Sequence, residues 1–266
     1  MKRILLSFTV LTFAFLTGCD KFEYSPYVTE LEEDEKKLNA KNVARIQSMG
    51  ISGEDTLRFV LTADTQGFYE ETDDMVKEIN KIEGISFVLH GGDITDFGLL
   101  KEYKWIHQIM KKLKVPYVTV VGNHDCLANG KIIYQNMYGP FNHSFVLNRI
   151  KFIFFNTNTL EFREPVPDMD YLRNELAKTE TYDKVFVITH VPPHSPDFDQ
   201  NKKQEYFDLM RQYNVVYSLH GHNHNFEVQD LNKDGIDYLT IGSSGKRSFV
   251  LVKIFGDYKE YKHIEY

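Results

Sequence analysis

Hydrophobic and polar positions divide the chain into three parts. Ile4 to Leu16 is predominantly apolar, Cys19 to Asp55 is polar and acidic, and from Leu57 onward short apolar runs alternate with amphipathic segments. The last pattern is that of an α/β domain. It predicts strands at Leu57–Thr62, Phe87–Leu89, Tyr117–Val121, Ser144–Leu147, Lys151–Phe155, Val185–Thr189, Val215–Leu219, Phe226–Gln229, Tyr238–Ile241 and Phe249–Ile254. Between them, Leu99, Tyr103, Ile106, Met110 and Leu113 recur at spacings of four and three, which lays one apolar helical stripe on a sheet. Met75, Ile79 and Ile82 do the same for an earlier helix, and Asn39 to Ser48 reads as a further helical segment.

The polar residues that break this pattern are not scattered. Five motifs each follow a predicted strand directly: Asp64-Thr65-Gln66, Gly92-Asp93, Gly122-Asn123-His124-Asp125, His190, and Gly221-His222-Asn223-His224. In open α/β sheets ligands bind beyond the carboxyl ends of the strands, so five such loops can converge on one point. The interleaved glycines permit the tight turns that this needs.

At 266 residues, with 42% hydrophobic and 14% aromatic content, the chain can fill one large core. Its two cysteines, Cys19 and Cys126, exclude a disulfide framework and a Cys-rich zinc module. Any metal is therefore held by oxygen and imidazole, and Cys126 reads as a buried small hydrophobe beside the third motif. Lys2-Arg3 ahead of the first apolar stretch is a positive n-region, and the stretch is too short to span a bilayer. It ends in Leu16-Thr17-Gly18-Cys19, which resembles the bacterial lipobox. That resemblance implies a signal peptide over 1–18, a lipidated Cys19, an acidic tether over 19–55 and a catalytic domain over 56–266. The protein is then extracytoplasmic and lipid-anchored to a bacterial membrane, on either the periplasmic or the cell-surface face. An ordinary secretory signal and an uncleaved anchor are the alternatives. Removal of Lys2 and Arg3 with the leader takes the formal charge from −7 to −9, which argues against nucleic acid as a partner. Nothing in the composition points to a protein partner.

The motif set resembles the calcineurin-like metallophosphoesterases, whose pattern is D-x-H, G-D, G-N-H-[D/E], a lone His and G-H-x-H. The resemblance implies a four-layer α/β/β/α sandwich with two mixed β-sheets, and hydrolysis of phosphoester bonds at a dinuclear metal centre with a bridging hydroxide. It implies that Asp64, Gln66 and His224 hold one metal, that Asp93 bridges, and that Asn123, His190 and His222 hold the other. His124 would face the substrate, with Asp96 and Asp125 supporting the catalytic residues. Carboxylate, carboxamide and imidazole together suit two divalent ions of manganese, iron or zinc. Two such cations can clamp the attacking and leaving oxygens of an in-line displacement and supply the positive charge that the acidic surface lacks.

Where motif one of the family ends in His, this chain has Gln66. The D-x-Q variant resembles a branch with nucleotide-diphosphate hydrolases, which favours a small phosphodiester or nucleotide-type substrate. A Gln66 turned to solvent, with one metal lost, is the competing reading. A phosphomonoesterase, and a degenerate surface lipoprotein kept as a binding module, are the alternative functions. His194, in the loop after His190, is the candidate for substrate contact; His90 reads as a core histidine. Asp230 to Gly235 imitates half of a calcium loop but lacks its closing Glu, and reads as a hairpin turn.

Overall fold

The computed structural model describes residues 25, 27–50, 56–162 and 165–266; the expected signal peptide, Cys19 and the first part of the expected tether lie outside the described residues. Alternation along each strand decides the architecture. In β1 (Leu57–Thr62), Phe59 and Leu61 face one way and Val60 the other, so both faces of the strand are apolar and both must be covered. The same holds for β2 (Phe87–His90), β5 (Ile150–Phe154) and β6 (Lys184–Ile188).

Two mixed sheets result. The first has the order β11-β10-β1-β2-β3, in which β1, β2 and β3 (Tyr117–Thr119) are parallel, and β10 (Ser248–Phe255) and β11 (Tyr258–Glu265) are antiparallel additions. The second has the order β4-β5-β6-β7-β9-β8, with a parallel centre of β5, β6, β7 (Tyr217–His220) and β9 (Asp237–Thr240). Its edges, β4 (His143–Leu147) and β8 (Glu227–Gln229), are antiparallel. Between the sheets lies an aromatic layer: Phe59 stacks on Phe87 at 5.3 Å, Phe152 stacks on Phe186 at 5.2 Å, and Phe59 meets both of the latter edge-on at 5.5 Å.

The outer face of the first sheet is covered by α2 (Tyr69–Ile79), α3 (Leu100–Met110) and α4 (Gly130–Met137), and that of the second by α5 (Met169–Leu176) and α6 (Lys203–Gln212). The expected stripes are the contact faces: Met75 and Ile79, then Tyr103, Ile106 and Met110, are buried against Val60 and Val88. This is the four-layer α/β/β/α sandwich. Among the described residues no helix is long and apolar enough to cross a membrane.

Two elements depart from the expectation. The tether segment contains α1 (Leu38–Gln47), which is docked rather than free. Asn39 exchanges two 3.0 Å hydrogen bonds with the backbone of Thr119, Asn42 donates to the Tyr117 carbonyl at 2.8 Å, and Ile46 is buried between the sheets. The open edge of β3 is thereby closed by side chains instead of a strand. Strand β11 lies beyond the last expected strand and pairs with β10 along its whole length. The Asp230 segment is the hairpin turn between β8 and β9, its carboxylate accepting from the amides of Asp234 and Gly235.

Candidate metal centre

The carboxyl ends of β1, β2, β3, β6 and β7 lead into loops that bond one another rather than solvent. The Asp64 amide donates to the Gly92 carbonyl at 3.0 Å, the Thr65 amide to Asp93 at 2.9 Å, and the Gly221 amide to His190 at 3.1 Å. Four residues of the expected ligand set, Asp64, Asp93, His222 and His224, have φ of 52°, 56°, 76° and 57°. Side chains other than glycine rarely adopt this left-handed region, and its strain persists where surrounding contacts over-determine the backbone. Here the strained turns aim four polar side chains at one centre.

Asp64, Asp93 and His190 are fully buried, and one ligand atom from each lies within 4.8 Å of the others. The His190 Nδ1–H donates to the Gly91 carbonyl at 2.8 Å, which turns Nε2 toward Asp93 Oδ2 at 3.1 Å and Asn123 Oδ1 at 3.0 Å. From the other side, His222 donates through Nε2–H to Asp197 Oδ2 at 3.0 Å, leaving its Nδ1 lone pair 3.0 Å from the same Asn123 oxygen. Acceptors thus converge on one point from four residues. Such a set is stable only around a cation or a proton. Burial disfavours imidazolium at His190, yet the Asp93 carboxylate overrides it and pushes the ring up to about 9. Burial, reinforced by Asp93, pushes Asp64 well above the usual carboxylate range even though the His222 amide donates to both its oxygens at 3.1 Å.

His224 and Gln66 stand on the Asp64 side. His224 Nε2 is 3.5 Å from Asp64 Oδ1 and 3.5 Å from Gln66 Nε2, while Gln66 Oε1 is buried without a hydrogen-bond partner. Gln66 is therefore not turned to solvent. A buried carboxamide oxygen left without a partner, in a side chain whose other end meets His224, fits a hard divalent ion, and the whole donor set of O and N atoms fits manganese, iron or zinc.

The supporting residues differ in detail from the sequence reading. Asp96 acts through its backbone carbonyl, which accepts from His124 Nδ1–H at 2.8 Å and leaves Nε2 as the working nitrogen of that ring. The Asp125 carboxylate is spent on scaffolding: it accepts from the amides of Ile94 (2.9 Å), Thr95 (3.0 Å) and Gly122 (2.9 Å) and from the Thr95 hydroxyl, tying the second loop to the third. Through these bonds both acids act as positioning residues. His124 itself is half-buried, and its amide donates to Asp93 Oδ1 at 2.9 Å. His194 sits on the rim, bonded to Asn223 at 3.1 Å and 3.6 Å from Glu227. His90 is a buried neutral histidine, its pKa lowered by burial to about 3, that receives the Gly92 amide and bonds Thr65. Cys126 is buried and free, and burial holds its thiol protonated.

Asp197 was not picked out from the sequence. The signal available was an acid in the loop after His190, because an imidazole ligand commonly donates its second N–H to a carboxylate. Asp197→Ala is expected to weaken metal binding by about 10–100-fold, the usual cost of losing such an orienting partner. Isothermal titration of the metal-stripped variant with Mn²⁺ measures it; an affinity equal to that of the parent would show that Asp197 does not orient His222.

A model of the calcineurin-like phosphoesterase domain matches residues 57–226, a span that contains every residue of the expected ligand set. The chain belongs to the calcineurin-like phosphoesterase family. Within the family, 67 residues are 33% identical to a probable cyclic nucleotide phosphodiesterase of Xenorhabdus bovienii; the match covers 24% of this chain and 27% of that relative. Among solved structures, a dimetal phosphatase of Danio rerio superposes with a TM-score of 0.65 at 14% identity, over 79% of this chain and 97% of its own. Purple acid phosphatase from yellow lupin (Lupinus luteus) seeds gives 0.62 at 16% identity, over 80% and 52%. These two likenesses establish the fold, which is the two-sheet sandwich described above.

Proposed function

We propose that the protein hydrolyses phosphoesters at a dinuclear divalent-metal centre, with phosphodiesters or nucleotide-type compounds as its substrates. The observation that carries this is the convergence of ligand oxygens and nitrogens from Asp93, Asn123, His190 and His222, next to a second set from Asp64, Gln66 and His224. Asp64, Gln66 and His224 would hold one cation, Asn123, His190 and His222 the other, and Asp93 both. When bound, the pair supplies an activated water and charge stabilisation for an in-line displacement. The preference for diesters rests on the Gln66 variant of motif one and on the Xenorhabdus bovienii relative's description as a cyclic nucleotide phosphodiesterase.

The chain's own residues divide the remaining work. His124, held through Nδ1 by the Asp96 carbonyl, offers Nε2 to the leaving oxygen and protonates it. His194, with Asn223, lines the rim where the non-reacting part of a substrate would rest. Asp125 keeps the second and third loops in register. A decayed binding module has no physical reason to keep the strained backbone at Asp64, Asp93, His222 and His224. The lipobox-like Leu16-Thr17-Gly18-Cys19 supports placing the enzyme on a membrane, tethered through an acylated Cys19.

The test is turnover by chelator-stripped protein, with and without added Mn²⁺, against a bis-aryl phosphate, a mono-aryl phosphate and ADP-ribose. Metal-dependent cleavage of the diester or of ADP-ribose is the expected result. Full metal loading with all three substrates intact would overturn the reading in favour of a binding module. His124→Ala is expected to keep both metals and to lower kcat by roughly 10²–10⁴-fold, the usual contribution of a general acid. Metal analysis beside kinetics checks this, and loss of metal in that variant would refute the assigned role.

A further inference from the structure

A monomer rarely leaves large apolar side chains exposed side by side unless they contact something. Tyr27, Phe97, Leu127, Ile132 and Leu160 are 68%, 61%, 40%, 53% and 71% exposed, and they come from four chain segments that touch one another. Gly98, beside Phe97, packs so closely that a Cβ there would lie 2.2 Å from the Leu127 carbonyl oxygen and 3.1 Å from Gly130. Asn129 donates to the Tyr27 carbonyl at 2.9 Å. The Lys131 ammonium bonds the Glu161 carbonyl and lies 4.2 Å from the centre of the Phe162 ring. This collar adjoins the metal centre: Asp96, before Phe97, holds His124, and the Leu127 amide donates to the His124 carbonyl at 3.2 Å.

Tyr27, near the start of the described residues, lies on the same face. Asn129 fixes Tyr27, only eight residues after Cys19. Eight residues span at most about 29 Å when fully extended, whereas a compact body of this size is about 45 Å across. A membrane that holds Cys19 must therefore lie on the Tyr27 side, with the collar between it and the metal centre. The aromatic members suit the headgroup boundary, where amphipathic rings accumulate, and Lys131 beside them adds a cation at the same level.

We propose that this collar seats on the lipid surface to which the chain is tethered, so that the metal centre opens toward the headgroup layer and takes phosphoesters presented there. The seating rests on acylation of Cys19, and its consequence for substrate rests on the hydrolase reading. A competing face exists at the opposite end of the first sheet. Phe255 and Tyr258 flank the β10–β11 turn and are 55% and 57% exposed, next to Ile254, which pairs with Leu57 at the start of β1.

The experiment uses the full lipidated chain, purified from membranes and reconstituted into phosphatidylcholine vesicles with or without brominated acyl chains, which quench indole on contact. The native Trp105 is removed as Trp105→Phe, and single indoles are introduced as Phe97→Trp or Tyr258→Trp. The expected result is flotation of both variants with the vesicles and bromolipid quenching at position 97 alone. Quenching at 258 alone, equal quenching at both positions or quenching at neither would overturn the seating although the anchor holds. Chain that fails to float would remove the anchor and the proposal with it. Turnover of a soluble bis-aryl phosphate by the same preparations reports separately on the hydrolase reading.

Discussion

Asp93→Asn is expected to abolish turnover without unfolding the protein. The two side chains are nearly isosteric and the site is fully buried, so packing against its neighbours survives. What changes is the sign of the contacts. Asp93 Oδ1 accepts the His124 amide at 2.9 Å and Oδ2 faces His190 Nε2 at 3.1 Å. An amide placed either way turns one of these acceptors into a donor, opposite the His124 N–H or inside the cluster meant for a cation. It also removes the negative charge that the proposed bridging role requires. Loss of several kcal/mol of charge stabilisation corresponds to a fall in kcat/KM of roughly 10³-fold or more. Metal analysis of the variant is expected to give fewer than two ions per chain. Activity within about tenfold of the parent would mean that Asp93 does not bridge.

Gly122→Ala is expected to be nearly as damaging by a different route. A Cβ at this position would lie 2.1 Å from both the amide nitrogen and Oδ1 of Asp93, and 2.8 Å from its Cα. Backbone cannot be displaced cheaply there, because the Asp125 carboxylate binds the Gly122, Ile94 and Thr95 amides and locks both loops. The requirement is one of space, unlike at Gly92, whose φ of 91° also demands glycine. Such overpacking costs about 1–3 kcal/mol, which in a domain of this size lowers Tm by roughly 2–12 °C. The larger effect is on the site: moving Asp93 dissolves the acceptor cluster, so turnover is expected to vanish while calorimetry still shows a cooperative transition. Retention of full activity would mean that the loops have room that the structure denies them.

Why some features were legible in the sequence and others were not follows from what a residue pattern can encode. The central strands announced themselves because burial on both faces demands continuous apolar runs, and the metal motifs because each interrupts the chain directly after such a run. Strand β11 did not, since Lys259, Glu260, Lys262 and Glu265 serve a solvated edge and dilute the alternation. Helix α1 looked like part of a tether because its docking residues, Asn39 and Asn42, are polar. They bond to strand-edge backbone, an interaction that hydropathy cannot register. In the site, motif spacing gave residue types but not atoms: it selected Asp96 without revealing that the backbone oxygen is the working part. Asp197 was hidden for a further reason, that its partner His222 is 25 residues away and the pairing exists only once β6 and β7 lie side by side.

The aromatic layer between the sheets carries a consequence for the chemistry at its upper edge. Asp64, Asp93 and Asn123 hang from the first sheet and His190, His222 and His224 from the second, so a cation pair held by them would straddle the seam. Phe59 and Phe87 on one side and Phe152 and Phe186 on the other act as the gauge block that sets the gap. The spacing between the two half-sites is then a tolerance inherited from core packing, and a rings-to-aliphatics exchange far below the loops would shift one half-site against the other without touching a single candidate ligand.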